Sequence, residues 1–494
     1  MLLLILVGVV VLYLRTIRYN YVIDDSVKRS GYYVEAPLGA PPEKLYSSRP
    51  SVSYRLFMIG MHCVNTTVIY LLWGWVPAAI FAFHPIGAWG TAWVTGNYYA
   101  TTLYFMLIGY YILSVFNNVF GFLAASALYV AALNSTVSAL AFPFFLIATG
   151  NLWGFPMLYP LFKFFTGRRF QTGYNLRSSF TREHRVKAPF TPRRLVLMVK
   201  VMARYIYTVL FPDKMYFFSP FGENVHDNQK CYDDMHRMNQ EFWTSLLVCL
   251  VVLTAGMMIH PLGTLWFFLF TGVHTQYKIM GQFFAIRYMY TAMVGMCIVV
   301  GTAIQSFPIL LTVVLTYLIL RTHFYIPAWS SMENICRNDL GQFPLSANAW
   351  NNLASHYMRE GITETSPSWK INRLAYLIQR SYDLNPNIWE INMNVACFFA
   401  IVGQWPMCLK YTDRAIALLE PVADKPTGPL ETLYKQRERI IKQAEEAVKQ
   451  PEGATLSPSN CSAEQKVGRE NGTRQGIEDT VEYFGSGISS GGET

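Results

Sequence analysis

Apolar runs of near membrane-span length alternate with short polar breaks over residues 1–320, whereas residues 321–494 have the mixed polar texture of a soluble sequence. A helix needs about 20 apolar residues to cross a bilayer. About eleven segments of the first part approach that length, and the shorter ones require tilt or merger with a neighbour. The first, residues 1–14, runs past Arg15 and Arg18 into the doublet Asp24-Asp25. It has neither a basic leader nor a small-residue cleavage site, so it reads as a retained span rather than a signal peptide. Residues 76–95 read as another span. The stretch 152–165 is broken by Pro156 and Pro160 and reads as a re-entrant or interfacial piece.

Beyond Arg321 the pattern becomes that of paired amphipathic helices. In ANAWNNLASHYMREG, Trp350, Leu353, Ala354, Tyr357 and Gly361 stand at tetratricopeptide-repeat spacing, and SYDLNP closes the unit at Pro386. The following segment repeats the pattern with Val395, Ala396, Phe399, Gly403 and Ala415. Tyr357 and Phe399 are 42 positions apart, as are Pro344 and Pro386. That is the repeat period of about 34 residues enlarged by an insertion around residues 360–369. A charged helix over 430–449 is expected to cap the stack. The remainder is rich in Ser, Gly, Glu and Asn and is expected to be disordered. The chain is therefore expected to be all-α: a polytopic membrane helical bundle over 1–320, a short α-solenoid with its capping helix over 321–450, and a disordered tail over 451–494.

Composition sharpens this division. The chain is 52% hydrophobic and only 14% charged, against about 25% charged for soluble domains. Much of the formal +9 charge sits in residues 163–204, including Arg168, Arg169, Arg182, Arg185, Arg193 and Arg194. A basic loop between apolar spans is expected on the cytoplasmic side, which argues against a nucleic-acid partner. An odd number of spans then puts Asp24-Asp25 and the repeats on the opposite, external or lumenal, face of a bacterial inner membrane or endoplasmic reticulum. The eight cysteines show no metal-like spacing and read as small buried hydrophobes.

Ionisable groups at a membrane edge are functional candidates by default. Asp24 and Asp25 could remove a proton from a hydroxyl or hold a divalent cation against a phosphate; a helix cap or solvated turn is the plainer alternative. Two carboxylates are too few ligands to define a metal site, so none is assigned. Arg49, His62 and His84 stand at span ends or on polar stripes of apolar helices, where a packing role is the alternative. In HTQYKIMGQFFAIRYMY, Lys278, Arg287 and Tyr288 would suit an anionic lipid headgroup, or Arg287 could snorkel to the interface. No nucleotide-binding, HExxH or G-x-S-x-G pattern occurs in a fitting context.

Several segments, in order, resemble one family. YVIDDSV, SRPSVSYRLF, MHCVN, FAFHPIGAWGTAWVTG, IRYMYTAMVG and RTHFYIPAWSSMENICRNDLGQFPLSANAWNNLA are similar to those of membrane O-mannosyltransferases that carry tetratricopeptide repeats, over roughly residues 1–420. The resemblance implies the GT-C architecture and transfer of a sugar, expected to be mannose, from a polyprenyl- or dolichyl-phosphate donor to Ser/Thr hydroxyls. It implies Asp25 as general base with Asp24 orienting it, the two roles being exchangeable. Arg287, with Lys278 and Tyr288, would meet the donor phosphate, and His84, Arg49 and His62 would line the acceptor side. The repeats would receive a protein acceptor or partner. The family's Lys-Glu pair after the fifth span is replaced here around Ser135 and Thr136, and the Arg and Asp that follow its third-span motif are absent from GNYYATT. A catalytically silent scaffold presenting the repeats is therefore the alternative, and a transporter or polymerase of lipid-linked glycans a third reading.

Overall fold

The structure, a computed structural model, describes residues 1–22, 50–166, 192–217, 237–275, 284–359, 361–363, 365–420 and 429–449. Asp24, Asp25, Arg49 and Lys278 lie outside the described residues, as do most of the basic stretch and everything from residue 450 onward. Among the described residues there are nineteen α-helices, five short 3-10 turns and no strand. The chain divides into two compact units at Gln342/Phe343.

In the first unit the helices are α1 Leu2–Tyr13, α2 Val52–Trp73, α3 Trp75–Phe83, α4 Ala88–Thr91, α5 Asn97–Val115, α6 Val119–Ser135, α7 Phe142–Ala148, α8 Gly154–Thr166, α9 Pro192–Leu210, α10 Gln240–Ile259, α11 Pro261–Gly272, α12 Met289–Ile304, α13 Pro308–Tyr325 and α14 Met332–Gln342. Five helices could cross a membrane by length and apolarity: α2, α5, α10, α12 with the turn before it, and α13 with the turn after it. Their surroundings differ. The apolar window of α12 is 72% buried and makes the centre of the unit, whereas that of α10 is 17% buried. α10 turns Trp243, Leu247, Leu250, Val251 and Met258 outward. Water penalises such a face at about 25 cal/mol per Å², a penalty that hydrocarbon lifts.

Local signals set the helix ends. Gly74, at φ +90°, lets α2 reverse directly into α3. The Asn239 side chain accepts from Phe242 N–H to start α10, and His260 Nδ1 accepts from Gly263 N–H to start α11, with Pro261 at the first helical position. The span expected over 76–95 is not continuous: α3 stops at Phe83 and residues 84–96 run as short turns. Pro85 ends the helix, and the glycines beyond it let the backbone press on large rings. A Cβ on Gly87 would lie 2.7 Å from Tyr13 Oη, and one on Gly90 would lie 2.6 Å from the Tyr290 ring. α11 crosses α12 closely, with Gly263 and Gly295 facing each other's backbones.

The second unit contains α15 Ala347–Arg359, α16 Ser368–Leu384, α17 Trp389–Ile401, α18 Trp405–Leu419 and α19 Pro429–Lys449. α15, α16 and α18 are amphipathic, whereas α17 is largely apolar all round and has no exposed residue. α16 buries Ile371, Leu374, Ala375 and Ile378, and α18 buries Cys408, Tyr411, Ala415 and Leu419, the i, i+3, i+4, i+7 stripe of a core-facing helix. Helices adjacent in sequence pack on one another, and α15 also meets α17. Gly361 and Gly403, both at positive φ, turn the chain after α15 and α17. α19 covers the last apolar face through Leu430 and Leu433 against Ala415, Ile416 and Leu419.

Candidate functional site

Arg287 stands in a 3-10 turn, Ile286–Tyr288, at the mouth of α12. The turn is held from both sides. Tyr288 N–H donates to Ala285 O, and Ala285 N–H donates to the Tyr205 hydroxyl of α9 at 3.2 Å. The half-buried guanidinium lies 5.0 Å from the Tyr288 ring centroid and 5.7 Å from that of Phe217, a cation–π seat for the charge. Beneath it is an aromatic floor. Phe217 stacks on Trp89 at 5.3 Å, and Trp329 meets Trp89 edge-on at 4.8 Å and stacks with Trp93 at 6.1 Å.

The floor is itself clamped. Phe217 N–H donates to Asp339 Oδ2 at 2.8 Å, and Asn338 and Gln342 both donate to Met215 O. Three side chains of α14 therefore fix the three residues 215–217. Asp339 is buried, and its hydrogen bonds offset part of the desolvation of its carboxylate.

Arg55 of α2 completes this end of the unit. It is wholly buried and donates to Ala92 O, to Asn20 O at 3.2 Å and to Tyr19 O at 3.4 Å. Asn20 N–H in turn donates to Ser330 O, the residue after Trp329. The chain leading to Asp24-Asp25 is thus tied to the floor that carries Arg287, and Val22, two residues before the doublet, is fully buried. Replacing Arg55 with Met would leave these carbonyls without their donor. The expected loss is about 2–4 kcal/mol of stability, read as a lower Tm of the purified protein, with Arg55→Lys intermediate.

His62 and His84 are buried with both ring nitrogens engaged. His62 Nε2 donates to Ala82 O, so its Nδ1 accepts from the Tyr290 hydroxyl at 2.7 Å. His84 Nε2 donates to Val209 O at 2.9 Å while Nδ1 accepts from Ile86 N–H. These bonds knit α2 and α3 to α12 and α9. A third histidine, His274, lies beside Arg287's turn: its Nε2 is 2.8 Å from Ser138 Oγ and its ring is stacked on Tyr288 at 4.4 Å.

Of the residues expected from sequence, Arg287 and Tyr288 therefore belong to one assembly at one end of the unit. His62 and His84 sit in the packing that supports it. Arg55, Asp339, Ser138 and His274 were not anticipated. Arg55 carried the same signal as Arg287, a cation in an apolar run; Asp339 lies in an ordinary polar helix and carried none. Among the described residues no group of three or more His, Cys, Asp or Glu is arranged to hold a metal ion. Compared with family models, curated proteins and solved structures, the chain finds no significant match in any of the three.

Proposed function

We propose that this chain is an integral-membrane protein glycosyltransferase of the tetratricopeptide-repeat O-mannosyltransferase kind, using a polyprenyl- or dolichyl-phosphate sugar as donor and Ser/Thr hydroxyls as acceptors. The observation that carries the reading is the seat of Arg287: a cation held on aromatic rings, at the end of the bundle where Arg55 anchors the approach to Asp24-Asp25. In this reading the anomeric carbon–oxygen bond breaks as the acceptor oxygen attacks, and the bond electrons leave with the lipid phosphate. A fixed guanidinium stabilises the charge gathering there. Asp25 takes the acceptor proton, and displacement inverts the anomeric configuration.

The architecture fits the same reading. Five helices are long and apolar enough to cross a membrane and three shorter apolar ones accompany them, in keeping with a polytopic bundle; the count of about eleven passages is part of the proposal. A tetratricopeptide solenoid is supported by recurrence at 42 residues. Gly361 and Gly403 turn the chain equivalently, and Trp350 and Asn392 each donate a side-chain N–H to the proline carbonyl six positions earlier, Pro344 and Pro386.

The test is transfer itself. Purified full-length protein is incubated with polyprenyl-phosphate mannose and Ser/Thr peptides, beside Asp25→Asn, and the peptides are weighed by mass spectrometry. A gain of one hexose that disappears in the variant is the expected result. A well-folded sample that transfers nothing from several lipid-phosphate sugars would sink the enzyme reading and leave the repeat-presenting scaffold.

A further inference from the structure

His274 is two residues beyond α11, and only 1% of its surface is exposed. Ser138, from the 3-10 turn Val137–Ala141, fills one ring nitrogen, Nε2. The ring planes of His274 and Tyr288 are 3° apart, so the imidazole lies flat against the ring that seats Arg287. The other nitrogen, Nδ1, is buried and has no hydrogen-bond partner. Buried polar nitrogens are usually paired, so this one, on a ring that shares its seat with a cation, is open to a ligand.

The chemistry of that ligand follows from the tautomer. Burial, with the Arg287 charge added, keeps the ring neutral, so it has a single N–H to place. A hydroxyl can donate as well as accept. When Ser138 donates to Nε2, the proton stands on Nδ1 and becomes an open donor on a ring that shares the Tyr288 seat with the Arg287 guanidinium. An oxyanion with at least two free oxygens answers both groups at once. In a unit with helices apolar enough to cross a membrane, a phosphate carried on a lipid fits that demand: the tail stays in hydrocarbon while the oxygens reach the donors.

We propose that His274, through Nδ1–H, is a second donor to the lipid-linked phosphate that Arg287 binds, and that Ser138 is the positioning residue that selects this tautomer. The proposal rests on the reading of Arg287 as the donor-phosphate contact. Ser138 is 136 positions from His274 in sequence, so the fold alone brings the pair together.

The experiment is binding rather than turnover. A fluorescent polyprenyl monophosphate is titrated onto the full-length protein in lipid nanodiscs, with the uncharged polyprenol and inorganic phosphate as further arms. His274→Phe keeps a flat ring on Tyr288 and removes both nitrogens; it is expected to weaken the lipid phosphate about tenfold, the size of one charge-assisted hydrogen bond. His274→Gln, which retains a side-chain donor, should recover most of that loss, and a merely structural role would not produce this split. Ser138→Ala should weaken binding about threefold, and Arg287→Ala more than any of these. The uncharged polyprenol should bind all variants alike. If His274→Phe binds like the wild type while Arg287→Ala does not, the His274 proposal is overturned and the Arg287 reading stands. If the wild type does not prefer the phosphate, or Arg287→Ala is silent, the underlying reading falls. Displacement of the lipid by equimolar inorganic phosphate would assign the site to a free anion and overturn the lipid assignment.

Discussion

Gly295→Leu is expected to yield no folded protein, the largest effect of any single substitution considered. Even a Cβ at this position would lie 2.3 Å from Gly263 O and 2.4 Å from Phe267 N. Both are backbone atoms of α11, so no side chain can swing aside. Across the same crossing a Cβ on Gly263 would meet Gly295 O at 2.8 Å. Helices in a membrane associate through such close packing, since lipid tails are as apolar as leucine and supply no hydrophobic drive between helices. Forcing α11 and α12 apart also loosens the best-buried helix of the unit, and α12 begins at Arg287's turn. Overpacking costs typically 1–3 kcal/mol where side chains can yield; where backbone meets backbone the cost exceeds that. The check is the yield and monodispersity of the purified protein. Gly60→Ala is the control, because a Cβ there has nothing within 4 Å, and it should behave as the wild type. A monodisperse Gly295→Leu sample of normal Tm would show that this crossing is not what holds the unit together.

On the proposed transferase reading, Arg287→Ala is expected to reduce transfer by about 100- to 1,000-fold, the usual loss when one preorganised charge stabiliser is removed from an active site. The seat explains why the loss should fall on the chemical step. Aromatic faces hold the guanidinium in place before the reaction starts, so little reorganisation is needed as charge gathers on the leaving phosphate. Arg287→Lys should recover only part of the rate, because an ammonium is a point charge without the planar fork that spans two phosphate oxygens. Single-turnover transfer to a Ser/Thr peptide, with folding checked by Tm, separates this effect from instability. Equal rates for Arg287→Ala and the wild type would remove Arg287 from the mechanism.

The helices were largely legible in the sequence because scarcity of charge and unbroken apolar length are local properties. α2, α10 and α13 follow from them directly. The break after Phe83 was not, although Pro85, Gly87 and Gly90 stood in plain view. Their meaning depends on Tyr13 and Tyr290, rings brought from remote segments to press on glycine backbone. The site divides in the same way. Arg287 could be singled out as a cation entering an apolar run. Its supports are pairings across long sequence separations, Phe217 with Asp339 over 122 positions and Ser138 with His274 over 136, and no periodicity in one sequence reports such a pairing. Arg55 was legible by the same signal as Arg287; its partners were not, being backbone carbonyls with no side-chain signature.

Arg55 also has a consequence for the order in which the protein is made. Arg55 is the fourth residue of α2, so its charge lies towards the helix end, where the cost is below the about 2.5–3.5 kcal/mol of a guanidinium at the centre of a membrane helix. Two of its carbonyl partners, on Tyr19 and Asn20, precede it by 36 and 35 positions, whereas Ala92 follows by 37. The ribosome has therefore already delivered part of the charge's shelter before α2 emerges, and the last carbonyl arrives only once α3 and α4 have been synthesised. One buried side chain thus joins stretches made before and after its own helix, and its set of hydrogen bonds is complete only once residue 92 exists.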